Sequence, residues 1–96
     1  MAQTDQIRVR AELFREEDQY VAIYPELNVS SFGETREEAL RSFREAMSLF
    51  LEECQRMGTL RQVLEEAGFS HTTSPTHRWI PPKPIGTEQL LSLIHI

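Results

Sequence analysis

The first part of the chain alternates between apolar and charged residues. From Ile7 to Leu13 every second residue is apolar, and the residues between them are Arg8, Arg10 and Glu12. A period of two predicts a half-buried β-strand, because successive side chains of a strand point to opposite faces. The polar residues 15–19 that follow predict a turn.

Two further apolar segments complete a predicted three-stranded meander. The segment Tyr20–Tyr24 is rich in β-branched and aromatic residues, and Pro25 ends it because proline cannot continue a ladder. The segment Leu27–Phe32 predicts a third short strand, which ends at Gly33. Short polar connections between such segments are typical of antiparallel hairpins.

The second of these strands is predicted to be apolar on both faces. Tyr20, Ala22 and Tyr24 point to one face, and Val21 and Ile23 point to the other. One helix can cover only one face of a sheet. We therefore expect the other face to be covered by a second copy of the chain or by a partner protein.

The pattern becomes helical after Thr35. Thr35 is followed three residues later by Glu38, the capping-box pattern of a helix start. Apolar residues then recur at spacings of three and four, which predicts one amphipathic helix over Arg36–Met57, ended by the left-handed residue Gly58. The apolar stripe of this helix consists of Leu40, Phe43, Met47, Phe50, Leu51, Cys54 and Met57.

A second, shorter helix is predicted to turn back along the first. Thr59 and Gln62 repeat the capping-box pattern, and Gly68 marks the end. The long helix should span about 33 Å, whereas strands of six or seven residues span only about 20–23 Å. The sheet therefore cannot cover the whole stripe, and we expect the short helix to cover part of the remainder.

The last third of the chain is less regular. Residues 70–76 predict a loop, and Thr76–Ile80 predicts a fourth strand at a sheet edge. Pro81–Pro84 should run as an extended polyproline-like segment, because most of its residues lack an N–H. The expected fold is α+β, a two-layer arrangement in which one long helix packs across an antiparallel sheet in the order β-β-β-α-α-β.

The end of the chain is interpreted separately. Leu91–Ile96 looks like the translation of a transposase-based sequencing adaptor. On this interpretation residues 1–84 form the domain, residues 85–90 a C-terminal tail, and residues 91–96 are non-native. The alternative is a natural apolar terminus that packs on the sheet.

Composition limits the class of protein. The 96 residues carry a net charge of −5, and one Cys excludes an internal disulfide. A chain of this length forms one small domain, and an acidic chain does not favour binding to nucleic acid. We expect a cytoplasmic protein, because the chain has neither a secretory signal nor an apolar run of about 18 residues.

The titratable residues give little indication of a catalytic site. The carboxylates near the predicted turns and helix start have structural uses in capping and in complementing the helix dipole. His71 and His77 lie in a predicted loop without a third ligand nearby, and Cys54 belongs to the apolar stripe. We expect no enzyme activity, no metal and no cofactor, and a residual metal-dependent nuclease is the rival hypothesis.

Several short motifs follow one another in order. An acidic turn precedes the Tyr-Val-Ala strand at Tyr20, and the segments Pro25–Leu27, Gly33–Thr35 and Glu37–Leu40 come next. The segment Leu64–Phe69 then precedes a Trp and a run of prolines. This ordered set resembles the HicB family of small antitoxin-like proteins over residues 7 to 84.

The resemblance implies a degenerate ribonuclease-H-like fold without nuclease chemistry. It also implies binding to a HicA-type ribonuclease toxin, whose active site the antitoxin would mask. Many members of the family carry a DNA-binding domain, but none follows Pro84 here, so DNA binding is not expected unless the natural protein continued. An orphan relative of unknown partner and a DNA-binding regulator are the alternatives.

We expect the partner to contact a sheet face or edge. The predicted contact residues are Tyr20, Tyr24, Glu26, Val29 and Phe32. An acidic surface would complement a basic, RNA-binding toxin. We also expect a homodimer or higher oligomer, formed through a sheet edge or through the end of the long helix that overhangs the sheet.

Overall fold

The computed structural model describes residues 6–73, 75–91 and 93, which form an α+β fold with two small sheets and two helices. The strands are β1 (Gln6–Ile7), β2 (Glu12–Glu16), β3 (Gln19–Tyr24), β4 (Val29–Gly33), β5 (Ser70–Thr72) and β6 (Arg78–Ile80). The helices are α1 (Arg36–Met57) and α2 (Leu60–Glu66), and a 3₁₀ turn, Pro25–Leu27, joins β3 to β4. The adaptor interpretation of residues 91–96 falls largely on positions outside the described residues.

The predicted meander is confirmed as the antiparallel sheet β2-β3-β4, called the meander sheet below. Leu13 pairs with Ala22, which in turn pairs with Ser31 of β4. The turn between β2 and β3 is tight, and Glu17 in it adopts a left-handed conformation with φ of 54°. Helix α1 packs across the inner face of this sheet, against β3 and β4.

The prediction of one sheet is wrong, because the remaining strands form a second sheet in the order β1-β6-β5, the terminal sheet. Strand β1 pairs in parallel with β6, and the predicted continuous strand Ile7–Leu13 is divided between the two sheets. The alternation of side chains survives this division, since Ile7, Val9, Ala11 and Leu13 all pack against the core. Alternation of apolar and polar residues indicates which face of a sheet a side chain lies on, but it does not indicate which strand the residue pairs with.

The terminal sheet also contains a strand where a loop was predicted. Strand β5 pairs antiparallel with β6, and its central residue His71 lies opposite Trp79. The two rings stack with their centroids 4.6 Å apart. Strand β5 carries no apolar residue, so it shows no alternation that would predict a strand. The aromatic contact across the ladder contributes to its pairing with β6.

Helix α1 begins and ends at the predicted residues. The Thr35 hydroxyl accepts a hydrogen bond from the Glu38 amide at 3.0 Å. The Glu38 carboxylate accepts one from the Glu34 amide at 3.3 Å, one residue before its usual capping-box partner. Gly58 ends the helix with φ of 73°.

The second predicted capping box is absent from α2. The Thr59 side chain does not cap this helix. Its hydroxyl instead donates to the Cys54 carbonyl at 3.3 Å, so it satisfies the end of α1. Helix α2 nevertheless covers part of the apolar stripe, because Leu60, Val63 and Leu64 pack against the core as predicted.

One hydrophobic core joins both sheets and both helices. No polar or charged residue among those described is buried. The buried members of the core are Ala22, Tyr24, Leu27, Val29, Ala39, Phe43, Met47, Leu64, Phe69 and Trp79. Neither helix of the described part has the length and apolar character needed to cross a bilayer.

Candidate protein-binding surface

The outer face of the meander sheet carries a row of apolar side chains. Phe14 pairs with Val21, and Val21 pairs with Phe32 on the opposite strand. Phe14 is 49% exposed and Phe32 is 63% exposed. These three residues, the outer aromatic row, form an exposed apolar strip across all three strands.

The alternation of β3 explains why this strip is left uncovered. Ala22 and Tyr24 face α1 and belong to the core, whereas Val21 and Ile23 lie outside the core cluster. Helix α1 occupies the inner face, so the core lies on the side of the sheet opposite Val21. The predicted pair of apolar faces is therefore present.

Carboxylates flank the outer aromatic row on its edge strand. Glu12 and Glu16 lie two residues before and after Phe14, so all three side chains share one face of β2. Glu12 pairs with Ile23, and Glu16 pairs with Gln19. An exposed aromatic strip with an acidic margin is chemically suited to a protein surface that is apolar at its centre and basic around it.

The predicted contact residues do not lie together on one face. Phe32 is on the outer face, but Tyr24 and Val29 pair with each other on the inner face and are only 5% and 7% exposed. The Tyr24 ring also packs edge-to-face on Phe69, with the centroids 6.2 Å apart. Neither Tyr24 nor Val29 is available at the surface of this fold, because α1 and the C-terminal elements cover that side.

The other two predicted residues lie at different edges. Tyr20 is half-buried on the inner face, and the Arg15 guanidinium lies 5.9 Å from its ring centroid. Glu26 is exposed in the 3₁₀ turn. Of the five predicted contact residues, only Phe32 therefore belongs to the outer aromatic row.

Phe14 and Val21 are the members of the outer aromatic row that the set of predicted contacts omits, and Phe14 is the more exposed of the two. The signal for it is present in the sequence, because the alternation places Phe14 on the face opposite Leu13. Its proximity to Phe32 follows only from the register of β2, β3 and β4. That register depends on how the two turns close, which the alternation alone does not determine.

The pKa of Tyr24 is shifted by its surroundings. Burial raises the pKa of the Tyr24 phenol above its ordinary value, the nearby Glu26 carboxylate raises it further, and Arg10 opposes both. The phenol is therefore neutral at physiological pH. A neutral phenol can donate a hydrogen bond, and Tyr24 is one of the residues that line a groove.

This groove, the terminal groove, lies between the segment around β1 and the run of prolines after β6. Its volume is about 890 Å³. Trp79 and Tyr24 contribute to its lining, and Pro81, Pro82 and Pro84 line it as well. The charged residues that line it are Arg8, Arg10, Glu12, Glu26, Arg78 and Lys83.

The sequence did not predict the terminal groove. Arg8 and Arg10 lie in the first strand-like segment, and Arg78 and Lys83 lie in the distant last third of the chain. Only the parallel pairing of β1 with β6 brings the two pairs together. Within the described ranges, no three His, Cys, Asp or Glu side chains are grouped so that they could hold a metal ion.

No family model, curated protein or solved structure matches this chain.

Proposed function

We propose that this chain is an antitoxin-like protein-binding module that neutralises a small basic ribonuclease toxin of the HicA type by covering its active site. The observation that carries the proposal is the outer aromatic row, an exposed apolar strip on a sheet whose other face is already occupied by α1. Aromatic residues at the centre of an interface supply much of its binding energy.

The charge of the surface supports a basic partner. Glu12 and Glu16 border the outer aromatic row, and the chain as a whole has a net charge of −5. Opposite charges around an apolar centre steer association and select the partner. A ribonuclease that binds the phosphate backbone needs a basic active-site surface, so an acidic protein placed over that surface would compete with RNA.

The finer fold is part of the same proposal. The ordered motifs between Tyr20 and Phe69 favour a HicB-like, degenerate ribonuclease-H-like domain. An antiparallel meander followed by a long helix across one face is compatible with it. Self-association is proposed through the outer edge of β4 or through the part of α1 that carries the exposed residues Leu49 and Met57.

The test uses the product of the neighbouring gene, which the proposal expects to be a small basic protein. The chain is co-expressed with it, growth is scored, and the affinity of the purified pair is measured by calorimetry. The double variant Phe14→Ser with Phe32→Ser should weaken binding by about 100-fold or more, since loss of a central aromatic costs about 2 kcal/mol or more. It should also fail to restore growth.

The matched control is Ile85→Ser with Leu90→Ser, which removes two exposed apolar side chains from the segment after β6. It should leave the affinity for the toxin within about two-fold, because neither residue lies on the sheet. Equal losses in the two double variants would contradict the proposed surface. Failure of the unaltered chain to bind the neighbouring product or to rescue growth would contradict the antitoxin function itself.

A further inference from the structure

The terminal groove concentrates positive charge on an acidic chain. Four of its ten Lys and Arg residues line this one groove. They face two carboxylates there, those of Glu12 and Glu26, so the local charge is opposite in sign to the net charge of −5. Such a local excess attracts anions at ordinary ionic strength only over a distance of about 8–10 Å, so the ligand must enter the groove to benefit from it.

The cations of the groove differ in their ion pairing from two arginines of the helices. Arg56 and Arg61 form ion pairs with Glu53 and Glu65 along their own helices. Among the residues that the structure describes, none of the four groove cations forms an ion pair. Three of the four groove cations are exposed, so their charged groups can pair with an anion that enters the groove.

The spacing of the cations favours an extended ligand. Side-chain exposure alternates from Gln6 to Glu12, so Arg8 and Arg10 point to the same side. Two residues of extended chain span about 6.6 Å, which is also the separation between alternate side chains of an extended peptide. The prolines that line the other side of the groove have no N–H to donate. Specificity for an acidic ligand would therefore come from the arginine side chains.

The aromatic residues of the groove disfavour single-stranded RNA as the ligand. Binding of single strands depends on exposed rings on which bases stack. Trp79 is only 3% exposed and Tyr24 only 5%, so neither presents a ring face to a base. A peptide needs no such platform, since its carboxylates can pair with Arg while its apolar atoms rest on the prolines.

We propose that the terminal groove binds an extended acidic segment of a partner protein, with alternate carboxylates of that segment paired to Arg8 and Arg10. Arg78 and Lys83 hold the acidic segment from the opposite side of the groove. The four cations lie outside the outer aromatic row, although Glu12 borders both surfaces, and the site does not depend on the antitoxin proposal.

The experiment titrates the full chain into a fluorescein-labelled peptide of alternating Glu and Ala and follows the anisotropy. We expect saturable binding that weakens with added salt. Arg8→Ala with Arg10→Ala should weaken it by at least about ten-fold, because each charge-assisted hydrogen bond contributes more than a neutral one. Arg41→Ala with Arg44→Ala removes the same charge from exposed positions on α1 and should change the affinity by less than about two-fold.

Two further variants distinguish an effect on binding from an effect on folding, because they should change the affinity in opposite directions. Lys83→Ala alters an exposed residue and should weaken binding, whereas Glu26→Gln removes a repulsive carboxylate and should strengthen it several-fold. Equal losses in the two double-arginine variants would overturn the site, as would unchanged binding in Glu26→Gln. Tighter binding of inorganic phosphate or of single-stranded RNA than of the acidic peptide would overturn the assigned class of ligand.

Discussion

The backbone of Gly33 lies directly against Ala39 in the first turn of α1. A Cβ placed on Gly33 would be 2.6 Å from the Ala39 amide nitrogen and 2.9 Å from the Glu38 carbonyl carbon. Both are backbone atoms of a hydrogen-bonded helix and cannot move aside as a flexible side chain would. The last residue of β4 therefore sets how closely α1 approaches the meander sheet.

Gly33→Ala should destabilise the protein by about 1–3 kcal/mol, as overpacking of a core does. Gly86→Ala is the control, because a Cβ at Gly86 has no atom within 4 Å. The control should alter the free energy of unfolding by less than about 0.5 kcal/mol. Urea denaturation measures both, and equal stability of the two variants would show that α1 does not lie against β4 in this way.

The two threonines of the helix starts should differ in their effects. Thr35→Ala removes the hydroxyl that accepts from the Glu38 amide, and should cost about 1 kcal/mol. Thr35→Ser keeps that oxygen and should recover most of the loss. Thr59→Ala should cost less than Thr35→Ala, since the Thr59 side chain does not cap α2 and makes only a 3.3 Å bond to the Cys54 carbonyl. A larger cost at Thr59, measured by thermal unfolding, would contradict the observed cap.

Substitution of Phe32 should destabilise the protein much less than substitution of Phe43. Phe43 is a buried core residue of α1, so Phe43→Ala should cost about 3–5 kcal/mol. Phe32 is exposed in the outer aromatic row, so Phe32→Ala should lose only its cross-strand contacts, about 1 kcal/mol or less. Chemical denaturation compares them, and a loss at Phe32 as large as that at Phe43 would place Phe32 in the core.

Stability should fall at alkaline pH because of Tyr24. Its pKa is higher in the folded protein than in the unfolded chain, where it is about 10. The folded state therefore holds the phenol proton more tightly, and this contribution is present below about pH 10 and is lost as the pH rises further. Unfolding curves at pH 8 and pH 11 should show a smaller decline for Tyr24→Phe than for the unaltered chain. Tyr20→Phe controls for removal of one phenol, and an unchanged decline in Tyr24→Phe would contradict the prediction.

Local signals were sufficient to predict the long helix. The Thr35 cap, the spacing of Phe43 and Met47 and the Gly58 stop all lie within or beside α1, and the structure confirms its bounds. The antiparallel meander was also predictable, because its strands are consecutive and joined by short turns. These elements depend on interactions between residues that are near one another in sequence.

Pairing between distant segments was not predictable from the same signals. Ile7 pairs with Trp79, and no residue pattern near Ile7 specifies that partner. Strand β5 has too few apolar residues to be recognised before β6 is placed beside it. The same distance in sequence separates Arg8 and Arg10 from Arg78 and Lys83, so the candidate groove depends entirely on this pairing.

The parallel pairing of β1 with β6 has a consequence during synthesis. The Gln6 amide bonds to the His77 carbonyl, which the ribosome adds only after both helices have been made. The nascent chain can therefore form the meander sheet and α1 first, and the segment around Ile7 stays unpaired until β6 has been made. The outer aromatic row can therefore form before the terminal groove does. Only a completed molecule would bind a ligand in that groove, so such binding would distinguish it from a chain that is still being translated.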